Sequence, residues 1–176
     1  MTNFVYIATS IDGFIATKDG GVDWLNDIPN PEQSDFGFAK FMSGINAIVM
    51  GRNTFEQVLT FGSWPYDKPV FVLSNTLAKI PSGYESKVEI VNGDLGELVG
   101  RLHEKGYSNL YIDGGKTIQN FLAEDLIDEM IITKIPVLLG DGIPLFGKID
   151  QSLKFSHIKT EVINDSLVMS HFSRER

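Results

Sequence analysis

Two glycines, a lysine and a threonine stand between an apolar segment and an amphipathic one in the sequence NLYIDGGKTIQNFL, residues 109–122. Glycines at a strand end let the chain turn, and a helix that begins there offers free backbone N–H groups and the positive end of its dipole. Such a helix N-terminus binds anions well. Residues 114–117 therefore indicate either a phosphate site or a tight turn that only packs the helix on a sheet, and this segment alone leaves both open.

The spacing of these residues excludes two common nucleotide-binding motifs. A P-loop requires a glycine five residues before its second one, and that position is Leu110, inside the apolar segment. The dinucleotide fingerprint G-x-G-x-x-G also fails, because Gly114 and Gly115 are adjacent and Ile118 follows. What remains is a general anion site at a helix N-terminus.

A second junction of the same kind lies in IVMGRNTFEQ, residues 48–57. An apolar segment ends at Gly51, and Arg52 and Thr54 stand where a helix begins. The guanidinium group is planar and permanently charged, so it suits a phosphate. The alternative interpretation is that Asn53 or Thr54 only caps the helix.

A third strand end carries Ser74 and Asn75 in the sequence VLSN, residues 72–75. Ligands of open parallel sheets bind outside the carboxyl ends of the strands. Three polar strand ends at one edge favour a single extended site for a polyanion over three unrelated turns, and a dinucleotide has the required extent.

The elements that would position these residues alternate between strands and helices. The apolar patterns predict strands at residues 4–8, 46–51, 69–74, 87–91 and 109–113, and helices at 36–44, 52–61, 93–106 and 117–126. Three further strand-like segments, 129–140, 153–163 and 166–174, follow without a helix, and Asn164-Asp165 predicts a hairpin turn. The sequence therefore predicts an α/β fold in one domain, residues 1–176, with a mostly parallel sheet and an antiparallel C-terminal hairpin. The loops 17–34 and 60–68 are long enough to be functional.

The overall composition excludes several classes of protein. The 176 residues carry a net charge of −8, which disfavours a nucleic-acid binder, and the absence of cysteine excludes thiolate metal sites and cysteine nucleophiles. The three histidines are scattered, so no metal site is expected. Neither a signal peptide nor an apolar segment of membrane-spanning length is visible. We therefore expect a cytoplasmic protein with no membrane partner; whether it forms a homodimer is left open.

Four motifs in order give the chain a resemblance to the dihydrofolate reductase fold. They are IATSIDGFIA with Trp24 after it, MGRNTFE, VFVLSN, and IDGGKTIQNFL followed by MIITKI. The segment PVLLGDGIPLF, residues 136–146, resembles the C-terminal reductase domain of the riboflavin-pathway bifunctional deaminase-reductase, which shares that fold. The resemblance implies a dihydrofolate reductase-like fold and NADPH as the cofactor.

The same resemblance assigns residues to the cofactor. The two glycine junctions and the third strand end would hold its phosphates and adenosine, and the first strand would lie along the nicotinamide. The residues implied are Ala8, Ile15, Ala16, Gly51, Arg52, Asn53, Thr54, Ser74, Asn75, Gly114, Gly115, Lys116 and Thr117.

Catalytic and substrate residues follow from the resemblance as well. Asp35 matches the carboxylate that serves the pterin in dihydrofolate reductases, and Thr133 matches its threonine partner. Asp35 precedes an apolar helix, where desolvation would raise its pKa, although a helix cap would explain an aspartate there equally well. The residues implied for the substrate pocket are Trp24, Phe36, Val58 and Lys68.

These residues predict an NADPH-dependent reductase of a pterin or an aminopyrimidine, of the riboflavin-biosynthesis type. True dihydrofolate reductase is the alternative within the enzymes. Lys68 stands where the folate enzymes have an arginine that clamps the glutamate, and Ala39 stands where an aromatic residue holds the pterin. Those departures disfavour folate. A non-catalytic nucleotide-binding module is the alternative outside the enzymes.

Overall fold

The computed structural model of the protein describes residues 1–30 and 33–176. In chain order the strands are β1 Thr2–Ser10, β2 Phe14–Ala16, β3 Ala47–Gly51, β4 Val70–Leu73, β5 Val88–Val91, β6 Asn109–Asp113, β7 Glu129–Ile135, β8 Ile143–Pro144, β9 Phe155–Ile163 and β10 Leu167–Arg174. The helices are α1 Phe38–Ser43, α2 Arg52–Leu59, α3 Leu95–Glu104 and α4 Gly115–Ala123, and residues Asp23–Leu25 form a short 3-10 helix.

Eight of the strands form one sheet in the order β5-β4-β3-β6-β1-β7-β10-β9. All pairs from β5 to β7 are parallel, and β10 pairs antiparallel with both β7 and β9. The hairpin turn has positive φ at Asn164 and Asp165, 49° and 57°, and the N–H of Ser166 donates to the carbonyl of Ile163. Such a turn matches the twist of the strands it joins. The predicted fold class and its C-terminal hairpin are thus confirmed.

The apolar side chains pack on both faces of the sheet. On one face α3 and α4 cover the strands, with Leu98, Ile112 and Phe121 buried in one cluster. On the other face α1 and α2 cover them, with Met50 and Phe55 buried in a second cluster. Because strand side chains alternate between faces, the buried strands are apolar on both sides, as parallel strands between helix layers require.

Three parts of the fold differ from the sequence prediction. Strand β7 ends at Ile135 rather than at residue 140, because the chain turns there and the N–H of Val137 donates to the carbonyl of Ile135. Helix α1 begins at Phe38 rather than at residue 36, because Phe36 and Gly37 have φ values of 55° and 90°, which no right-handed helix contains. The short strands β2 and β8, which pair antiparallel in a separate two-stranded sheet, were not predicted. Of the predicted loop 17–34, residues 31 and 32 lie outside the described residues.

Candidate active site

The two glycine junctions lie beside each other at the carboxyl edge of the sheet. Strand β3 pairs with β6, so α2 and α4 begin next to one another. A Cβ atom at Gly114 would lie 2.2 Å from the Oγ1 atom of Thr54, and one at Gly51 would lie 2.8 Å from the Oγ1 atom of Thr117. Each glycine therefore leaves room for the threonine of the other helix. The packing interpretation of these glycines is supported, and the same packing directs two helix N-termini to one place.

A cleft of about 1270 Å³ opens at this edge of the sheet. It is larger than the ~300–1,000 Å³ typical of a single-ligand pocket, so it has room for a dinucleotide and a second molecule. Every residue that the sequence assigned to the cofactor lines it; these are Ala8, Ile15, Ala16, Gly51, Arg52, Asn53, Thr54, Ser74, Asn75, Gly114, Gly115, Lys116 and Thr117. The structure brings them together, and their contacts with a cofactor stay a prediction.

The two-stranded sheet forms one wall of the cleft. A Cβ atom at Gly115 would lie 2.6 Å from the Cδ1 atom of Ile15 on β2 and 3.3 Å from the Cγ2 atom of Ile143, where β8 begins. Asp12 fixes this wall, because its carboxylate accepts hydrogen bonds from the backbone N–H groups of Leu139 and Gly140, at 3.2 and 2.8 Å. The hydrogen bonds to Asp12 lower its pKa, that from Ser10 most.

The cations of the cleft differ in how firmly they are held. The Nε atom of Arg52 donates to Glu56 at 2.7 Å, and its Nη1 atom donates to Thr76 at 3.0 Å. Lys116 is exposed. Lys18, on the loop after β2, pairs with Asp141. Arg52 is therefore held in one orientation beside the N-terminus of α2.

The expectation of a buried, high-pKa Asp35 is wrong. Asp35 is exposed, and its carboxylate accepts hydrogen bonds from the backbone N–H groups of Gly37 and Ala39, at 2.9 and 2.7 Å. These bonds favour the charged form, so they lower the pKa of Asp35, with that from Ala39 contributing most. The N-cap residue of α1 is Gly37, and the Asp35 side chain satisfies N–H groups at the start of the helix from two residues further back. This is close to the helix-cap interpretation of the sequence. A catalytic role for Asp35 stays a prediction.

The remaining predicted residues are only partly gathered at the cleft. Val58 lines it, whereas Trp24, Phe36, Lys68 and Thr133 are not among the described residues that do. Thr133 is buried on β7, where it pairs with Ala8 of the neighbouring strand β1. Ala8 lines the cleft and Thr133 lies one strand further along the sheet. The backbone carbonyl of Phe36 accepts a hydrogen bond from the hydroxyl of Tyr6 at 2.8 Å. The Nζ atom of Lys68 lies 3.8 Å from the Oδ2 atom of Asp67.

Sequence reasoning missed Asp113, the last residue of β6, which lines the cleft immediately before Gly114. Its Oδ1 atom accepts the backbone N–H of Gly114 at 2.8 Å. Burial raises the pKa of Asp113 to about 6, and the hydrogen bond from Gly114 opposes that rise only in part. The signal was present in the motif IDGGKT, where an acidic residue ends an otherwise apolar strand.

Comparison with known structures defines the class of protein. The dihydrofolate reductase from Enterococcus faecalis complexed with NADP(H) matches with a TM-score of 0.70 at 18% identity, covering 99% of this chain and 97% of that one. The mixed sheet with a cleft at its carboxyl edge is thus a dihydrofolate reductase-like α/β fold. Residues 4–169 match the RibD C-terminal domain, and the chain belongs to that family. The suspected relationship is confirmed.

Two relatives are more similar in sequence. A crystal structure of a Shewanella sp. PV-4 protein named for riboflavin biosynthesis matches with a TM-score of 0.97 and 55% identity, over 100% of both chains. The uncharacterized protein YwjB of Bacillus subtilis (strain 168) is 38% identical over 154 residues, which are 85% of each chain. The similarity thus extends along nearly the whole sequence.

Two further observations concern a membrane span and a metal site. None of the helices in the described part of the chain is both long and apolar enough to cross a membrane. Within residues 1–30 and 33–176, no cluster of three or more histidine or acidic side chains could hold a metal ion. A cytoplasmic location and a homodimer stay predictions.

Proposed function

We propose that the protein is an NADPH-dependent reductase of a pterin or an aminopyrimidine, of the riboflavin-biosynthesis type. Its substrate would then be 5-amino-6-(5-phosphoribosylamino)uracil or a close relative. The observation that carries this proposal is the convergence of both glycine junctions, with Arg52 and Lys116, on one cleft. The RibD C-terminal family and the relative named for riboflavin biosynthesis support it further.

The proposed cofactor fits the construction of the cleft. The backbone N–H groups at the starts of α2 and α4 suit the pyrophosphate, because helix N-termini favour anions. Arg52 and Lys116 suit the 2′-phosphate that distinguishes NADPH from NADH. When bound, NADPH would supply the hydride, while the chain positions the substrate and excludes water from it. The E. faecalis relative with NADP(H) supports this choice only through its common fold.

The substrate half of the cleft departs from what folate needs. Ala39 is exposed, and Lys68 pairs with Asp67 and is not among the described residues lining the cleft. Neither side chain is placed to hold a pterin ring or clamp a glutamate. We therefore expect only weak turnover of dihydrofolate, because lost binding energy at remote groups also lowers turnover.

The test is the loss of NADPH absorbance, measured in parallel with 5-amino-6-(5-phosphoribosylamino)uracil and with dihydrofolate. We expect turnover of the pyrimidine. A catalytic efficiency on dihydrofolate within the usual enzyme range of roughly 10⁴–10⁸ M⁻¹s⁻¹ would instead restore the folate assignment. NADPH binding with no turnover of either compound would favour a non-catalytic nucleotide-binding module. Absence of NADPH binding would refute the proposal.

A further inference from the structure

One part of the cleft is lined by apolar and aromatic side chains. We call it the apolar end, and it is formed by Val22, Leu25, Val58, Phe61 and Tyr66. The Nε2 atom of Gln57 on α2 donates to the backbone carbonyl of Gly20 at 3.2 Å, which holds the segment 20–25 beside α2. Phe61 follows α2 and is 56% exposed although it is a large hydrophobic residue. An exposed aromatic ring at a cleft is suited to a flat ligand, because aromatic faces stack.

Helix α2 presents opposite ends to the two parts of the cleft. Its N-terminus, at Gly51 and Arg52, is one of the two glycine junctions. Its last turn carries Val58, whose carbonyl accepts the backbone N–H of Phe61 at 3.1 Å. The C-terminus of a helix is the negative end of its dipole and favours cations over anions. The helix that suits the phosphates of the cofactor at one end therefore disfavours an anionic group at the apolar end.

The cations of the cleft wall stand elsewhere or are already paired. Among the described residues, the cations that line the cleft are Lys18, Arg52 and Lys116. Two of them belong to the glycine junctions, and Lys18 pairs with Asp141. The segments that form the apolar end add no cation: residues 60–66 are uncharged, and residues 20–34 contain three acidic residues and neither lysine nor arginine. A phosphate bound there would lack a cationic partner.

Asp113 adds a negative charge beside Tyr66. Both residues line the cleft, and the pKa of Tyr66 is raised by burial first and by the charge of Asp113 second. A substrate phosphate near Tyr66 would meet the same carboxylate and lose its hydration. Phosphate groups bind where charge-assisted hydrogen bonds replace their water, so this part of the cleft favours an uncharged ligand.

We propose that the substrate of this cleft is a flat heterocycle without an anionic tail; this rests on the proposed reductase function. Its ring would lie at the apolar end, against Phe61 and Val58. Among close relatives of the phosphoribosyl pyrimidine, the preferred compound is the form without the phosphate. Among pterins, it is a dihydropterin without the glutamate of folate. The cations and helix N-termini of the cleft are then left to the cofactor.

The experiment compares two pairs of compounds in steady-state NADPH oxidation. The first pair is 5-amino-6-(5-phosphoribosylamino)uracil and the same compound after a phosphatase has removed its phosphate. The second pair is dihydrofolate and dihydropterin, which is the ring system of dihydrofolate alone. In whichever pair reacts, we expect kcat/KM to be about tenfold or more higher for the compound without the anionic tail. The difference should shrink as salt is added, since ions screen charge repulsion, whereas a steric effect would not respond.

A gain-of-function variant tests the apolar end directly. Phe61→Arg places a cation there, and the variant should fold because Phe61 is exposed. We expect kcat/KM to rise by about tenfold for the anionic member of the reacting pair and not for the uncharged member. Thr60→Arg is the matched control. Thr60 is exposed and is not among the described residues that line the cleft, so the same added charge should leave the ratio of the two efficiencies unchanged.

Calorimetry gives a second readout that needs no turnover. In protein saturated with NADP⁺, the uncharged member of the pair should bind more tightly than the anionic member. An anionic compound that binds as tightly, or reacts as efficiently, as its uncharged counterpart overturns the proposal and leaves the reductase function intact. An equal effect of Phe61→Arg and Thr60→Arg on the ratio of efficiencies also overturns it. If none of the four compounds supports NADPH oxidation, the proposed function fails instead.

Discussion

The junctions β3–α2 and β6–α4 have the same design, but only one depends on glycine for its backbone. Gly51 has φ −78° and ψ 163°, an extended conformation that any residue adopts. Gly114 has φ 90° and ψ 136°, which side chains other than glycine avoid. Both glycines make room for a threonine of the other helix. At both junctions the nearby threonine leaves no room for a Cβ atom. Only at Gly114 does the backbone conformation itself also require glycine.

The junctions also differ in their cations. Arg52 is held by Glu56 and Thr76, whereas Lys116 is exposed and has no recorded ion pair within residues 1–30 and 33–176. A fixed guanidinium gives directional contacts at little further entropy cost, while a mobile ammonium acts as a screened charge. The following experiments separate these contributions.

The largest effect is expected from Gly114→Ala. The new Cβ atom would meet the Oγ1 atom of Thr54, and the backbone would be strained, so we expect the free energy of unfolding to fall by about 3–5 kcal/mol. Urea denaturation measures this. Gly83→Ala is the matched control, because Gly83 has φ 93° with nothing within 4 Å of a new Cβ atom, and it should lose only about 1 kcal/mol. Equal losses in the two variants would mean that the contact with Thr54 is unimportant.

Arg52→Ala should have the next largest effect, on cofactor affinity. Removing a charge-assisted contact of about 1.5–3 kcal/mol should weaken NADPH binding by roughly ten- to a hundredfold, with a smaller loss for NADH. Fluorescence titration with both cofactors measures the difference. Arg101→Ala on α3 changes the net charge equally but lies away from the cleft, so it should leave both affinities unchanged. An equal loss for both cofactors would contradict a 2′-phosphate contact.

Gly51→Ala should have a smaller effect than Gly114→Ala. Its backbone needs no glycine, and only the hydroxyl of Thr117 must move, so we expect a loss of about 1 kcal/mol in unfolding free energy. A double-mutant cycle with Thr117→Ala should show a coupling of about 0.5–1 kcal/mol, because removing the Oγ1 atom relieves the collision. A loss as large as that of Gly114→Ala would show that the two junctions are equally constrained.

Lys116→Ala should have the smallest effect. An exposed ammonium group contributes little, so we expect at most about a fivefold loss in NADPH affinity at low salt. The difference from the unmodified protein should vanish in high salt, since surrounding ions screen exposed charges. Binding measured across a salt series checks this. A large loss that persists in salt would mean that bound cofactor encloses the lysine.

The extent to which sequence predicted the site differs between its two halves. The cofactor half could be predicted because each glycine junction is a local pattern, and a parallel sheet places successive strand ends at one edge. The close approach of Gly114 to Thr54 could not be predicted, because these residues are 60 positions apart and meet only when β3 pairs with β6. The wall made by β2 and β8 was missed for a different reason, because strands of three and two residues are too short to show a hydrophobic period.

The two aspartates mark the boundary between sequence and structure. The sequence by itself determined the order of the longer strands and helices, the fold class and the cofactor residues that gather at the cleft, because hydrophobic period and turn residues are local properties. Only the tertiary structure decided which carboxyl group is desolvated. Asp35 precedes an apolar helix yet is exposed, because Phe36 and Gly37 turn the backbone before α1 begins. Asp113 ends the buried strand β6, where burial raises its pKa, and a pKa depends on everything packed around the group.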